Sequence, residues 1–391
     1  MSKKIRTVLI FGVIIALFSL LIVNYIPYIG MTDGVDIVEM AGSSFKRFKP
    51  SEEYVKPLGR THFGDSLRYL SMSGSGIEFL CKGSYAYITV IGDNVDAQHE
   101  NQYSRFAIYK NGELVVDDTV NYEKRKYHIE INDFENGAVV KLVKLSEAAC
   151  SGFYVGTIGA FCSGDIEPTA KKETTIEFIG DSITCGYGID DDQYGYFSTS
   201  TENFSRTYAY LTAKELDADY SAVAFSGYGV LSGYTSDGRI NSADTLWNYY
   251  DKSSVFSDGS KAYWDFGKFN PDCIVINLGT NDASYCATGQ RREAFYESYY
   301  DFIKFVRNKN PDSYILCVLG DMNNSLYPMI EKAVSDYRIN SADYRVEAMM
   351  IEFKMGENPV AVNGHPGAES NVIAAEMLIR KIKEIRINEL L

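Results

Sequence analysis

At 391 residues, with 46% hydrophobic and 23% charged side chains, the chain has the balance of a folded globular protein with room for two or three domains. A formal charge of −14 excludes nucleic acid or anionic lipid as the main partner, because phosphate recognition needs clustered Lys and Arg. The seven cysteines (81, 150, 162, 185, 273, 286 and 317) contain no CxxC and no neighbouring histidine, which excludes a zinc cluster or a thioredoxin-like site.

The chain opens with Lys3, Lys4 and Arg6, followed by no charged residue before Asp33. If the uncharged stretch from Thr7 to Ile29 is helical, it spans roughly 34 Å, enough to cross a bilayer. Residues 1–29 therefore read as a single-pass signal anchor with the basic flank cytoplasmic and the remaining chain extracytoplasmic at the cell membrane. The rival is a cleaved signal peptide, which would release a secreted protein. The polar stretch 30–57 reads as a stalk.

From 58 to 164 short runs alternate in period two, among them Ile77-Glu78-Phe79-Leu80, Tyr85 to Val90 and Lys126 to Ile131, and Asn111-Gly112 marks a hairpin. This predicts an all-β, jelly-roll-like sandwich. Cys150 and Cys162 could be bridged only in an oxidising compartment. Residues 165–173, with Pro168 and two lysines, read as a linker. Over 174–391 apolar strands (Ile176–Ile179, Ala222–Phe225, Cys273–Leu278, Tyr314–Leu319, Val346–Ile351) alternate with helix-period segments near Ser205–Leu216, Arg291–Asn308, Leu326–Tyr337 and Ala368–Ile387. Such alternation predicts an α/β domain whose parallel sheet is covered on both faces, with ligands beyond the carboxyl ends of its strands.

Gly180-Asp181-Ser182 follows the first of these strands, where a serine hydroxyl sits beside free backbone N–H groups. The same tripeptide occurs as Gly64-Asp65-Ser66 near His62, but there it follows polar residues and reads as a turn between strands. Gly279-Thr280-Asn281-Asp282 ends another strand, placing the Asn281 carboxamide on the same sheet edge as an oxyanion donor. Ser226-Gly227-Tyr228-Gly229 ends a third, where glycine lets the backbone approach a substrate. A serine at its normal pKa needs a base. Of the four histidines, His62, His99 and His128 fall in the β half, which leaves His365 in Asn363-Gly364-His365-Pro366. The bland alternatives are a helix cap for Ser182, turn residues for Asn281 and Gly227, and a surface-loop histidine.

These four blocks, in order, resemble those of the SGNH (GDSL-like) hydrolase superfamily. Ile176 to Gly188, together with Gly59-Arg60, Ser73 to Phe79 and Lys144-Leu145-Ser146-Glu147, is similar to the family two carbohydrate esterases, which place a jelly roll before the hydrolase. The resemblance implies a metal-free serine esterase with no cofactor, removing O-acetyl groups from an acetylated polysaccharide or oligosaccharide. Ser182 would be the nucleophile and His365 the base, and the Ser182 N–H, Gly227 N–H and Asn281 side chain would form the oxyanion hole. The sequence departs from the superfamily where an aspartate commonly precedes the histidine: Val362 and Asn363 stand there instead. Asn363, a backbone carbonyl or a more distant acid such as Glu357 is left to orient the ring, giving a Ser–His dyad or an altered triad. A lipase or thioesterase, or an acyltransferase, would use the same residues, and a non-catalytic glycan-binding protein is the reading from another class.

Overall fold

The protein is described here by a computed structural model covering residues 36–40, 43–93, 100–121, 123–161 and 164–389. The proposed anchor at 1–29, together with His99 and Cys162, lies outside the described residues. Among those described, no helix is long and apolar enough to cross a membrane.

The first half is antiparallel. Strands β1 (Asp36–Met40), β2 (Ser43–Phe48), β3 (Lys56–Leu58), β4 (His62–Gly64), β5 (Leu67–Leu70), β6 (Gly76–Gly92), β7 (Ser104–Lys110), β8 (Glu113–Val120), β9 (Lys124–Lys144), β10 (Phe153–Phe161) and β11 (Ile166–Pro168) join through a main path β1-β2-β10-β6-β9-β7-β8. Alternating residues such as Ile77, Phe79, Ile88, Val90, Val140 and Leu142 are fully buried in one apolar cluster, as period-two patterning requires. Asn111 and Gly112 both adopt positive φ in the two-residue loop joining β7 to β8.

Two boundaries differ from the sequence reading. Residues 30–57 are not a stalk throughout: β1 and β2 form a hairpin that extends the sheet against β10, and Phe45, Phe48 and Val55 are buried. The polar residues of this stretch mask an apolar set that only a neighbouring strand can cover. Likewise the expected linker 165–173 begins with β11, which pairs with β6.

The second half is a five-stranded parallel sheet of β12 (Thr174–Gly180), β13 (Ala218–Ala224), β16 (Cys273–Asn277), β17 (Tyr314–Gly320) and β18 (Val346–Ile351), in the order β13-β12-β16-β17-β18. A two-stranded excursion, β14 (Lys252–Val255) and β15 (Lys261–Tyr263), precedes β16. The helices are α1 (Ser182–Cys185), α2 (Tyr208–Glu215), α3 (Asp282–Tyr285), α4 (Gly289–Lys309), α5 (Tyr327–Ser341) and α6 (Ala368–Glu389). Ile179, Ile274, Ile276, Ile315 and Cys317 pack with α4 and α5, whereas Ile176, Phe178, Val275, Leu316 and Val318 pack with α2 and α6. Both faces are therefore buried, which explains the continuous apolar runs. The order reverses between β12 and β16, so the crevice for a ligand opens at their carboxyl ends.

Buried charge locks the halves together. Arg60, with no exposed surface, donates from Nη2 to Glu177 Oε1 of β12 at 2.8 Å. The same carboxylate accepts the Ser221 hydroxyl at 3.0 Å and, through Oε2, the Tyr250 hydroxyl at 2.8 Å.

Candidate active site

The strand register sets the site. Gly180 of β12 lies level with Ala224 of β13 and Asn277 of β16. Ser182, Gly227 and Asn281 follow those residues by two to four positions, so all three emerge on one edge at the point where the strand order reverses.

Asp181 caps α1, its Oδ1 accepting the Ile183 N–H at 3.0 Å. Ser182 takes the first helical position, where its N–H has no intrahelical acceptor. Its hydroxyl lies 2.8 Å from His365 Nε2, across 183 residues of sequence. His365 sits on a tight loop: the Ala361 N–H donates to the His365 carbonyl at 2.8 Å, and Val360 bridges Pro366. This loop packs directly on the segment after Ser182, for a Cβ at Gly188 would stand 2.4 Å from Val362 Cβ. Glycine at 188 is what permits the approach.

The other ring nitrogen, Nδ1, lies 2.9 Å from the Val362 carbonyl oxygen. A carbonyl only accepts, so Nδ1 carries the hydrogen and Nε2 presents a lone pair to the Ser182 hydroxyl. Burial pushes the His365 pKa down to about 4, against a smaller upward pull from the Val362 carbonyl, so the ring is neutral at pH 7. Asn363 does not orient the ring. Its residue is left-handed (φ 54°), its side chain is exposed, and its Nδ2 donates to the Tyr187 hydroxyl at 3.1 Å. The peptide geometry of the loop turns that side chain outward and the preceding carbonyl inward. Glu357 pairs instead with Lys354 at 3.4 Å. Tyr187 was not singled out from sequence: it stacks on the His365 ring with centroids 4.4 Å apart, and Phe197 backs it at 4.1 Å.

Asn281 Nδ2 donates to the Tyr228 carbonyl at 2.9 Å and to Asp181 Oδ2 at 3.3 Å. The second bond is long, and it is the one that must give way if a substrate oxygen is to be held. Burial, with some contribution from the Asp282 charge, raises the Asp181 pKa to about 7. Asp282 in turn accepts the N–H groups of Val230, Leu231 and Ser232 at 2.7–3.1 Å, tying down the segment after Gly227. Gly227 itself has φ 81°, and a Cβ there would meet nothing within 4 Å. Among the described residues no protein group takes the Gly227 N–H. The structure thus brings Ser182, His365, Gly227 and Asn281 to one edge and leaves Asn363 aside. Asp181 and Asp282 were legible only as members of motifs; their partners depend on which strand ends are adjacent.

The other two described histidines, His62 and His128, lie apart from this edge. His62 is exposed on β4, and His128 stacks on Tyr87 within the antiparallel sheet. Glu147, Cys185 and Glu202 offer ligand atoms within 4.8 Å of one another, but the fully buried Lys144 already supplies positive charge to that cluster.

Residues 178–353 match the GDSL-like lipase/acylhydrolase family. The cellulase/esterase CelE of Acetivibrio thermocellus is 31% identical over 231 residues, 57% of this chain. This chain spans 27% of that protein's length. An acetylxylan esterase / glucomannan deacetylase of Cellvibrio japonicus is 29% identical over 265 residues, covering 63% of this chain and 69% of the relative. A family two carbohydrate esterase from Clostridium thermocellum, solved in complex with cellohexaose, superposes with a TM-score of 0.72 at 27% identity, covering 84% of this chain and 98% of that one. The antiparallel half is thus shared with a solved relative as well as the parallel one. Residues 178–353 of the parallel-sheet half thus match the GDSL-like lipase/acylhydrolase family, and the solved structures similar to this chain include family two carbohydrate esterases.

Proposed function

We propose that the protein removes O-acetyl groups from a polysaccharide through a Ser182–His365 acyl-enzyme mechanism. The observation that carries this reading is the 2.8 Å contact between His365 Nε2 and Ser182 Oγ, in a ring whose Nδ1 hydrogen is held by the Val362 carbonyl. His365 takes the proton as Ser182 Oγ bonds to the acetyl carbonyl carbon, and the carbonyl oxygen becomes an oxyanion facing the Ser182 and Gly227 N–H groups and Asn281 Nδ2. Collapse expels the sugar oxygen, which receives the proton from His365; water then repeats the sequence on the acyl-enzyme and frees acetate. A neutral carbonyl stabilises the imidazolium less than a carboxylate would, so turnover is modest.

Carbohydrate as the substrate class rests on the relatives and on the surroundings of the site. A cavity of about 410 Å³ borders the Gly227 turn through Phe225 and Tyr228 and is lined by Tyr69, Gln102, Tyr249 and Ser151. Aromatic faces mixed with polar groups suit a sugar better than an acyl chain. We read the antiparallel half as a jelly-roll-like sandwich. The charge pattern of residues 1–29 supports a membrane anchor with the enzyme outside the cytoplasm.

The test is acetate release from acetylated xylan and glucomannan, beside hydrolysis of 4-nitrophenyl acetate, butyrate and octanoate. The expected result is turnover of acetate esters that disappears in Ser182→Ala. Rising activity with chain length would favour a lipase, and sugar binding without hydrolysis would favour a glycan-binding protein.

A further inference from the structure

Four chemically reactive side chains that the mechanism leaves unused lie fully buried between the two halves: Lys144, Glu147, Cys185 and Glu202. Charged groups so placed are unfavourable unless they are paired and hydrogen-bonded. Their bonds converge on one backbone segment. Glu147, on the segment that follows β9, extends its Oε2 into the hydrolase half and accepts the Ser226 N–H at 2.7 Å. Its own N–H donates to Glu202 Oε2 at 2.8 Å, and the Lys144 ammonium donates to its carbonyl at 2.9 Å. The neighbouring Leu145 carbonyl accepts the Phe204 N–H at 3.0 Å, and Arg105 Nη1 donates to the Glu202 carbonyl at 3.3 Å. Glu147 is thereby fixed from both halves before it reaches Ser226.

The segment that follows is held from the other side by the hydrolase half itself. Asn281 grips the Tyr228 carbonyl, Asp282 the N–H groups of residues 230–232, and the Tyr234 N–H bonds the Gly227 carbonyl at 2.7 Å. Upstream of Gly227, the side chain that binds the turn is Glu147. We propose that Glu147, supplied by the antiparallel half, is a positioning residue that aims the Gly227 N–H at the oxyanion by fixing the Ser226 N–H. The inference rests on the esterase reading and assigns the antiparallel half a share in building the catalytic turn. Burial raises the pKa of both carboxyls, Glu202 well above the ordinary carboxylate range.

Three substitutions in the full chain separate this role from its rivals. Glu147→Gln keeps an acceptor at the same reach without the charge, Glu147→Asp keeps the charge but falls a methylene short, and Glu147→Leu removes both. If Glu147 aims the turn, Leu and Asp lower kcat for 4-nitrophenyl acetate by about 10- to 100-fold with KM nearly unchanged, and Gln stays within about fivefold of the parent. Amide hydrogen exchange of the Phe225–Gly229 segment accelerates in Leu and Asp but not in Gln, while exchange elsewhere holds. An active Asp variant beside a dead Gln variant would show that charge matters rather than reach, and would overturn the proposal. So would unaltered exchange at Phe225–Gly229 in the Leu variant, or acceleration spread evenly over the chain. If Leu does not fold, the Gln and Asp pair decides. A parent protein without Ser182-dependent hydrolysis would sink the esterase reading, whereas the exchange pattern reports on the turn alone.

Discussion

Gly64-Asp65-Ser66 and Gly180-Asp181-Ser182 are the same three residues in two settings. In the first, Gly64 pairs with Leu67 across antiparallel strands, and Asp65 and Ser66 fill a two-residue loop with φ of 49° and 64°. That is the backbone of a type I′ hairpin turn, and among the described residues no histidine hydrogen-bonds its serine. In the second, Asp181 is extended (φ −117°) and caps a helix, Ser182 is buried, and His365 lies within hydrogen-bonding distance. The tripeptide carries no chemistry of its own. A parallel strand that ends in a helix leaves N–H groups free at the serine, whereas a hairpin turns the chain straight back.

The largest effect should come from testing each serine alone. Ser182→Ala lowers ester hydrolysis by at least about 10³-fold, and Ser66→Ala leaves it within about twofold, both measured as acetate release. Next, Asn281→Ala lowers kcat by about 10²–10³-fold, as loss of one oxyanion donor does, with part of the loss arising from release of the Tyr228 carbonyl. The two settings are joined by Arg60, four residues before the first tripeptide and bonded three residues before the second. Arg60→Leu leaves Glu177 buried without its cation and destabilises the fold by about 3–5 kcal/mol, measured by urea unfolding.

A further contrast concerns pH. In the proposed mechanism the neutral ring of His365 is the base, and burial disfavours its charged form, so the acid limb of kcat/KM should centre near 4 rather than at the 6.5 of an ordinary histidine. Activity would be full at pH 6 and lost only below about pH 4; a midpoint near 6.5 would contradict the half-buried, neutral ring. The smallest effect belongs to the turn: Ser66→Gly relieves a left-handed serine and raises stability by about 0.5–1 kcal/mol with no change in rate, by urea unfolding and hydrolysis together.

Much of the fold was legible because period and punctuation are local. The helix from Gly289 to Lys309 and the strand from Tyr314 to Gly320 stand where apolar spacing puts them, and the Asn111-Gly112 turn needs only its own two residues. The hairpin at Asp36–Phe48 was not legible, because its pairing with β10 joins residues more than a hundred positions apart and its polar residues resemble those of a linker. The position of Ser182 at a strand end could be read from Thr175 to Gly180 alone, and elimination left one histidine in the same half.

The sequence by itself determined which residues stand at the ends of strands, because hydrophobic periodicity is written within a dozen neighbouring positions. Only the tertiary structure decided what those residues meet. The Val362 carbonyl faces the imidazole in place of Asn363, Asp282 ties down residues 230–232, and Glu147 reaches Ser226 from the other half. Such contacts depend on sheet order and on the φ of a few loop residues, and a hydrogen bond made through the backbone or across many residues leaves no pattern in the residues that make it.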